Sequence, residues 1–283
     1  MNSMNYRDQV GRSVMETYEN KKMMQAVFKN IRKDILRISE ISGHGHIPTC
    51  FSVVETIYAF YEAMKHDSAN PSWEERDIFI LSKGHASLAQ YVVMSKFGYF
   101  DLRDVESFGS FKSRFGCHAN RLKVRGVEAS TGSLGHGIGL AVGVALSFKI
   151  KKSDRRVVVV IGDGESNEGS VWEAVMVAVN LKLNNLIIVY DNNMSHQRGL
   201  QITNPGDRFK SFGAVVAEVD GHDVAQLKNE YILRHDTVKV IIANTIKGFG
   251  CKTMISNQYE WHRRSPNKEE YEILLKELDE AAV

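Results

Sequence analysis

The chain has 283 residues, 43% of them hydrophobic, enough for one large α/β domain with a substantial core. A formal net charge of +2 argues against a strongly electrostatic nucleic-acid binder. Cys50, Cys117 and Cys251 lie far apart with no CxxC, which argues against a disulfide framework or a zinc site and for a reducing compartment. The polar start, Met1 to Val10, has no secretory h-region, and no apolar run is long enough to span a bilayer, so a cytoplasmic protein without a membrane or nucleic-acid partner is expected.

In chain order, residues before about 20 read as a loosely ordered arm or a short helix. Val27, Ile31, Ile35 and Ile38 form a helical stripe expected to stop near Ser42 and Gly43. A second helix is expected over 53–64 and a short strand over 77–81, followed by Ser82, Lys83, Gly84, His85, Ala86 and Ser87. Residues 101–131 are polar and irregular, and a loop this long in a compact domain usually carries function. Thr131, Gly132, Ser133, Leu134, Gly135, His136 and Gly137 lead into a small-residue helix through Ala141 and Ala145. Further strands are expected over 214–218 and 238–243. Asn267, with Glu270 three residues on, reads as a capping box opening the last helix. With no repeat or linker, 1–283 reads as a single domain.

The centre of the chain carries the chemistry. An apolar run over 157–161 ends in Gly162, Asp163 and Gly164, and a second over 186–189 runs into Tyr190, Asp191, Asn192 and Asn193. Between them Val171, Trp172, Val175, Val179 and Leu183 recur at helical spacing. This is the length of one βαβ unit, about 30 residues, and both runs read as buried parallel strands. A right-handed crossover brings both strand ends to the same sheet edge, where open α/β sheets bind ligands. Asp163 and Asn193 are therefore expected to converge there as hard oxygen ligands for Mg²⁺ or Ca²⁺. Gly162 and Gly164 let backbone approach an anion, and the N-terminus of the next helix favours phosphate. Turn chemistry alone accounts for any one of these pieces, and their joint placement points to metal–diphosphate binding. There is no P-loop, and the glycines are spaced wrongly for GxGxxG. Glu165 reads as a solvated acid and Glu168 as a helix-start acid. The fold class is α/β, a doubly wound, mostly parallel sheet flanked by helices.

The stretch from Gly162 to Asn193 resembles the thiamin diphosphate motif that begins GDG and ends NN. Further stretches resemble the transketolase family in the same order: Ser42-Gly43-His44; Leu81-Ser82-Lys83-Gly84-His85-Ala86-Ser87; Gly116-Cys117-His118; the loop from Thr131 to Gly137, with His136 where glutamine is usual; Val219-Asp220-Gly221-His222-Asp223; Thr245-Ile246-Lys247-Gly248-Phe249-Gly250; and Glu260-Trp261-His262. The resemblance covers nearly the whole chain. It matches the N-terminal, diphosphate-binding half of a transketolase as found in the split, two-chain form.

The resemblance implies the thiamin-diphosphate-binding fold, thiamin diphosphate with Mg²⁺ or Ca²⁺ as cofactors, and transfer of a two-carbon ketol unit from a ketose to an aldehyde acceptor. It implies that His85 contacts the cofactor diphosphate. His44 and His262 would hydrogen-bond the substrate carbonyl and C1 hydroxyl, His262 also the cofactor, and His118 would help hold the donor ketose. Gly132, Ser133 and Leu134 would pack on the thiazolium ring. Asp163, Gly164, Glu168 and Asn193 would lie at the cofactor, with Glu168 in the subunit core. The metal ligands would be Asp163, Asn193 and the backbone carbonyl of Ser195. The pyrimidine-binding half, and with it activity, is expected from a separate C-terminal subunit in an assembly of two copies of each chain. His66 and His235 read as structural.

The chain departs from the family pattern in two places. Met194 and Ser195 replace a glycine and an aliphatic residue, followed by His196, Gln197 and Arg198 in place of an ISID-like stretch. Arg263-Arg264 replaces Gly-Lys or Gly-Ala. These residues are expected near the mouth of the site, so a changed substrate is an expectation too. Alternatives are a two-carbon transferase with a non-sugar acceptor, the α subunit of a 2-oxo-acid dehydrogenase, and a non-enzymatic scaffold subunit.

Overall fold

The computed structural model describes residues 6–196 and 199–281, and for residues 6–20 the backbone alone. Helix α1 (Tyr6–Ser42) is one continuous helix of 37 residues. This corrects the expected arm: the segment carries no proline and many good helix formers, so nothing in it breaks the helix. It ends where expected, at Gly43 with φ +68°. The expected second helix is two, α2 (Ile47–Ser52) and α3 (Val54–Ala63). Pro48 sits in the first turn of α2, where its missing N–H costs nothing, and Val53 leaves the helical region at φ −109°, ψ 7°.

Then follow β1 (Ile78–Leu81), α4 (Ser87–Lys96), α5 (Leu102–Val105), α6 (His136–Ile150), β2 (Val157–Gly162), α7 (Gly169–Asn180), β3 (Leu186–Asn192), α8 (Pro205–Ser211), β4 (Val215–Asp220), α9 (Val224–Ile232), β5 (Lys239–Asn244), α10 (Lys252–Ser256) and α11 (Lys268–Glu280). Short 3₁₀ turns span Gly84–Ala86, Gly164–Asn167 and Glu260–Arg263. The capping box of Asn267 and Glu270 is formed. Leu183 lies beyond α7 and is buried.

The five strands are all parallel, in the order β1-β2-β3-β5-β4. Their side chains alternate between two cores. Val158, Val160, Ile187, Val189 and Ile241 meet α1, α3, α4 and α11 on one face. Val157, Val159, Ile161, Ile188 and Ile242 meet α6, α7 and Phe209 of α8 on the other. Gly162 pairs with Asp191, and Asn192 with Asn244, so the carboxyl ends of β2, β3 and β5 share one edge. The register alone brings Asp163, Asn193 and Thr245 together.

A buried ion pair braces the far side. Arg32 on α1 pairs with Glu55 on α3 at 2.6 Å, and His222 Nδ1 lies 3.0 Å from the same carboxylate. His222 also stacks on Phe249, ring centroids 3.6 Å apart. The Asp-Gly-His-Asp segment is thus a structural joint, with Asp223 capping α9. Among the described residues no helix is long and apolar enough to cross a membrane.

Candidate functional site

Asp163 directly follows β2. Its Oδ1 accepts from Gly164 N at 2.7 Å, and its Oδ2 accepts from Ser195 N at 2.6 Å. Asn193, just past β3, turns its Oδ1 to the same Ser195 N–H at 3.1 Å. The two side-chain oxygens therefore face one point, as the strand-end argument expects. Both groups are buried, Asp163 at 1% and Asn193 at 3% exposure.

The orientation of Asn193 is set from behind. Its amide Nδ2 donates to Asp191 Oδ2 at 2.9 Å and to Ser52 Oγ at 3.1 Å, which leaves Oδ1 pointing forward. Asp191 is fully buried and also accepts from Ser52, Lys83 and Thr245. A carboxylate with this many donors is fixed in place.

Glu165 is not the solvated acid expected. It is 2% exposed and accepts from Ser82 Oγ, Gly135 N at 2.9 Å and Gly162 N at 3.1 Å. Burial pushes its carboxyl above the usual range, partly offset by these donors. It ties the Gly162 turn to the loop after β1 and to the start of α6. Glu168 is exposed in this chain and lies against Gly135, which has φ +79°, so it is not in the subunit core by this chain's own packing.

The histidines form a cleft beside this edge, and here one expectation is corrected. His46, not His44, joins the group. Its ring lies 5.4 Å from His85, 5.5 Å from His262 and 6.3 Å from His118. His44 is exposed against Gly109, and its carbonyl is held by Ser39 Oγ at 2.6 Å. The turns at Gly43 (φ +68°) and Gly45 (φ +137°) present one histidine outward and the next inward. His46 then caps α2. Pro48 marks that helix start, and it is the sequence signal that singles out His46.

His85 Nε2 is 3.4 Å from Thr49 Oγ1. His118, at the exposed rim, lies against Gly132, where a Cβ would stand 3.1 Å from the ring. Gly84 packs on Thr131 and Gly132 N, so the loops bearing His85 and Gly132 touch, with Ser133 exposed and Leu134 half-buried beside them. His262 Nδ1 is 3.0 Å from Lys247 Nζ, which donates to Ser195 Oγ at 2.6 Å. Lys247 thus links the histidine cleft to the Asp163–Asn193 edge, a role that no local sequence signal assigns to it.

Burial is the first cause that lowers all four imidazoles. His46 falls to about 4, aided by His262, His118, Arg263 and Lys247, and His262 falls to about 4, aided by Lys247. His85 is well below its usual value and His118 is lowered. They are therefore neutral near pH 7. Burial, with the nearby Lys83, also brings Lys247 down to about 8. His46 Nδ1 is buried with no hydrogen-bond partner. An unsatisfied buried nitrogen costs free energy and marks a place where a ligand belongs.

His196 is also not where it was expected. It is 6% exposed, and its Nδ1 lies 2.7 Å from Asp163 Oδ2, inside the site instead of at its mouth. Gln197 and Arg198 lie outside the described residues. A cavity of about 1010 Å³ is lined by Glu74, Arg76, Glu128, Phe148 and Arg155, with no histidine in its lining. A cavity of about 780 Å³ opens between Thr131, Ser133, His136 and Val177.

A parallel doubly wound sheet, with a carboxylate and an amide converging at its carboxyl edge, defines a cofactor-binding α/β domain. The sequence matches the family described as "Transketolase, thiamine diphosphate binding domain" over residues 23–277. It is 36% identical to an apulose-4-phosphate transketolase subunit from Actinobacillus succinogenes over 259 residues, covering 88% of this chain and 94% of that one. It is 34% identical to the 6-deoxy-6-sulfo-D-fructose transketolase subunit of a Clostridium species, again covering 88% and 94%. The solved structure of Campylobacter jejuni transketolase superposes with a TM-score of 0.82 at 26% identity, covering 91% of this chain and 43% of that one. The fold is the thiamin diphosphate-binding fold, and the chain belongs to the transketolase family. It matches the two transketolase subunits over nearly their whole length and spans less than half of the solved transketolase.

Proposed function

We propose that this chain is the diphosphate-binding half of a two-chain transketolase, a single domain that moves a two-carbon ketol unit only when a pyrimidine-binding subunit completes the site. The observation that carries the reading is the shared aim of Asp163 and Asn193 on one point beside a set of neutral imidazoles.

The residues present fit the cofactor. Asp163 Oδ2 and Asn193 Oδ1 are hard oxygen donors suited to Mg²⁺ or Ca²⁺. Both accept here from the Ser195 N–H, and His196 Nδ1 faces the same Oδ2. The ion would replace these contacts, and the Ser195 backbone would turn to offer its carbonyl. Gly164 has open space where a Cβ would stand, so backbone can approach an anion. Lys247 and His85 would face the anionic tail, with Gly132 and Leu134 supporting the ring system. Thiamin diphosphate, when bound, supplies the nucleophilic carbon for the transfer. The chain's own residues then orient and move protons. His46 takes the role that the resemblance gave to His44. With its free Nδ1, and with His262, it would hydrogen-bond the substrate carbonyl and C1 hydroxyl and stabilise charge there. His118 at the rim would hold the donor sugar. Glu168, exposed at the foot of α7, would be covered in the assembly.

The need for a partner has its own support. Helix α6 is apolar almost throughout, yet Leu140 is 50% exposed, Met176 and Val177 on α7 are each 47% exposed, and Gly139 and Gly143 face open space. An apolar face of this kind beside a cofactor loop is suited to a protein interface. Two copies of each chain, in the cytoplasm, is the expected assembly. The test is an assay of ketol transfer from a ketose phosphate by the purified chain, with cofactor and Mg²⁺, alone and with its partner. Turnover with the partner only is expected, and appreciable turnover by the chain alone would refute the reading.

A further inference from the structure

Ser195 and His196 reach the sheet edge through a turn at Met194, which has φ +58°. Met194 stands where the family pattern has a glycine, and a side chain is unfavourable in this left-handed region, so the turn is kept at a cost. It brings two nitrogens to one carboxylate oxygen: Asp163 Oδ2 accepts from Ser195 N at 2.6 Å and from His196 Nδ1 at 2.7 Å. Asn193 Oδ1 faces the same Ser195 N–H at 3.1 Å. The imidazole is only 6% exposed, so it is packed into the site. Among the described residues no lysine or arginine pairs with Asp163, whereas Lys83 pairs with Asp191. Two ligand atoms of one octahedral ion, each about 2.1 Å from it, stand about 3 Å apart. The separation of Nδ1 and Oδ2 is close to that, so a small shift lets both face one ion. Three protein oxygens leave room for a further ligand on a six-coordinate ion.

We propose that His196 Nδ1 is a further ligand of the divalent ion held by Asp163 and Asn193, and that this nitrogen biases the site toward ions such as Fe²⁺, Co²⁺ or Zn²⁺ over Ca²⁺. Imidazole nitrogen suits those ions, while Ca²⁺ takes oxygen. In the hydrogen bond to Asp163 the proton is on Nδ1, because a carboxylate only accepts. Ligation uses the other tautomer, with the proton on Nε2 and the Nδ1 lone pair on the ion, and the ring stays neutral. The inference rests on the reading of Asp163 and Asn193 as metal ligands and adds a nitrogen to that oxygen set.

The test is calorimetric titration of the two-chain enzyme, saturated with thiamin diphosphate, with Co²⁺ and with Ca²⁺. H196S is expected to weaken Co²⁺ binding about tenfold to a hundredfold and Ca²⁺ binding less than about threefold. H196N keeps a donor for Asp163 but loses the imidazole, and it is expected to lose the Co²⁺ preference equally. Pulsed EPR of the Mn²⁺-loaded enzyme gives a second readout. A nitrogen coupling that changes on labelling histidine with ¹⁵N is expected in the wild type and not in H196S. Equal losses for both ions, or recovery of Co²⁺ affinity in H196N, overturn the proposal and leave His196 a group that positions Asp163. A wild type without the coupling, or a coupling that persists in H196S, overturns it too. In each of these cases Asp163→Ala still weakens both ions if the underlying reading holds. Unchanged ion binding in Asp163→Ala overturns that reading, and the proposal with it.

Discussion

The sheet edge and the histidine cleft are neighbours built to opposite rules. At the edge, polar groups are paired: Asp191 binds Ser52, Lys83, Asn193 and Thr245, and Glu165 binds Ser82, Gly135 and Gly162. In the cleft, His46 Nδ1 has no partner among the described residues. Paired buried networks hold geometry, while unpaired groups wait for a ligand. Under the proposed function, the paired edge would fix the cofactor and the unpaired cleft would exchange substrates.

Three changes would break or sharpen that contrast. The largest effect is expected at Asp191. Asp191→Ala leaves Lys83 buried without a counter-charge and frees the Asn193 amide, so a loss of about 3–5 kcal/mol in urea unfolding is expected. His46→Gln, in contrast, is expected to leave stability within about 1 kcal/mol, because it removes a group that pairs with nothing. Its cost falls on turnover of the two-chain enzyme, lowered by roughly tenfold to a hundredfold as for a lost proton-transfer or oxyanion partner. His44→Gln should change neither, and a turnover loss there equal to that at His46 would restore His44 to the site.

The smallest effect is on pH dependence. His46 falls from 6.5 to about 4 on folding, so between those values the unfolded chain binds the proton and the native chain does not. Stability therefore drops as pH falls from about 6.5 towards 4. Unfolding midpoints at pH 7 and pH 5 should lie closer together in His46→Gln than in the wild type.

Much of this is legible in the sequence, and the misses have physical reasons. The β-branched runs ending in Gly162-Asp163-Gly164 and Asn192-Asn193 set two adjacent parallel strands, and strand parity puts Asp163 and Asn193 at one edge. Glu165 reads wrongly as solvated because its partners, Ser82 and Gly135, come from loops far away in the chain, so local polarity suggests solvent. The Gly43-His44-Gly45-His46 repeat offers two histidines to one motif. Which of them faces inward depends on two positive-φ glycines that composition does not reveal. Lys247 and His196 reach the site only through tertiary folding. The early turns of α1 carry Tyr6, Val10, Val14 and Tyr18 at helical spacing, a signal easily passed over because the residues between them are mostly polar.

The central claim is that Asp163 and Asn193 hold a divalent ion against a diphosphate. Isothermal titration of the two-chain enzyme with thiamin diphosphate tests it most directly. Binding is predicted to require Mg²⁺ or Ca²⁺, to vanish when the metal is chelated, and to weaken at least about a hundredfold in both Asp163→Ala and Asn193→Ala. Equal affinity with and without the metal, or in either variant, would contradict the account.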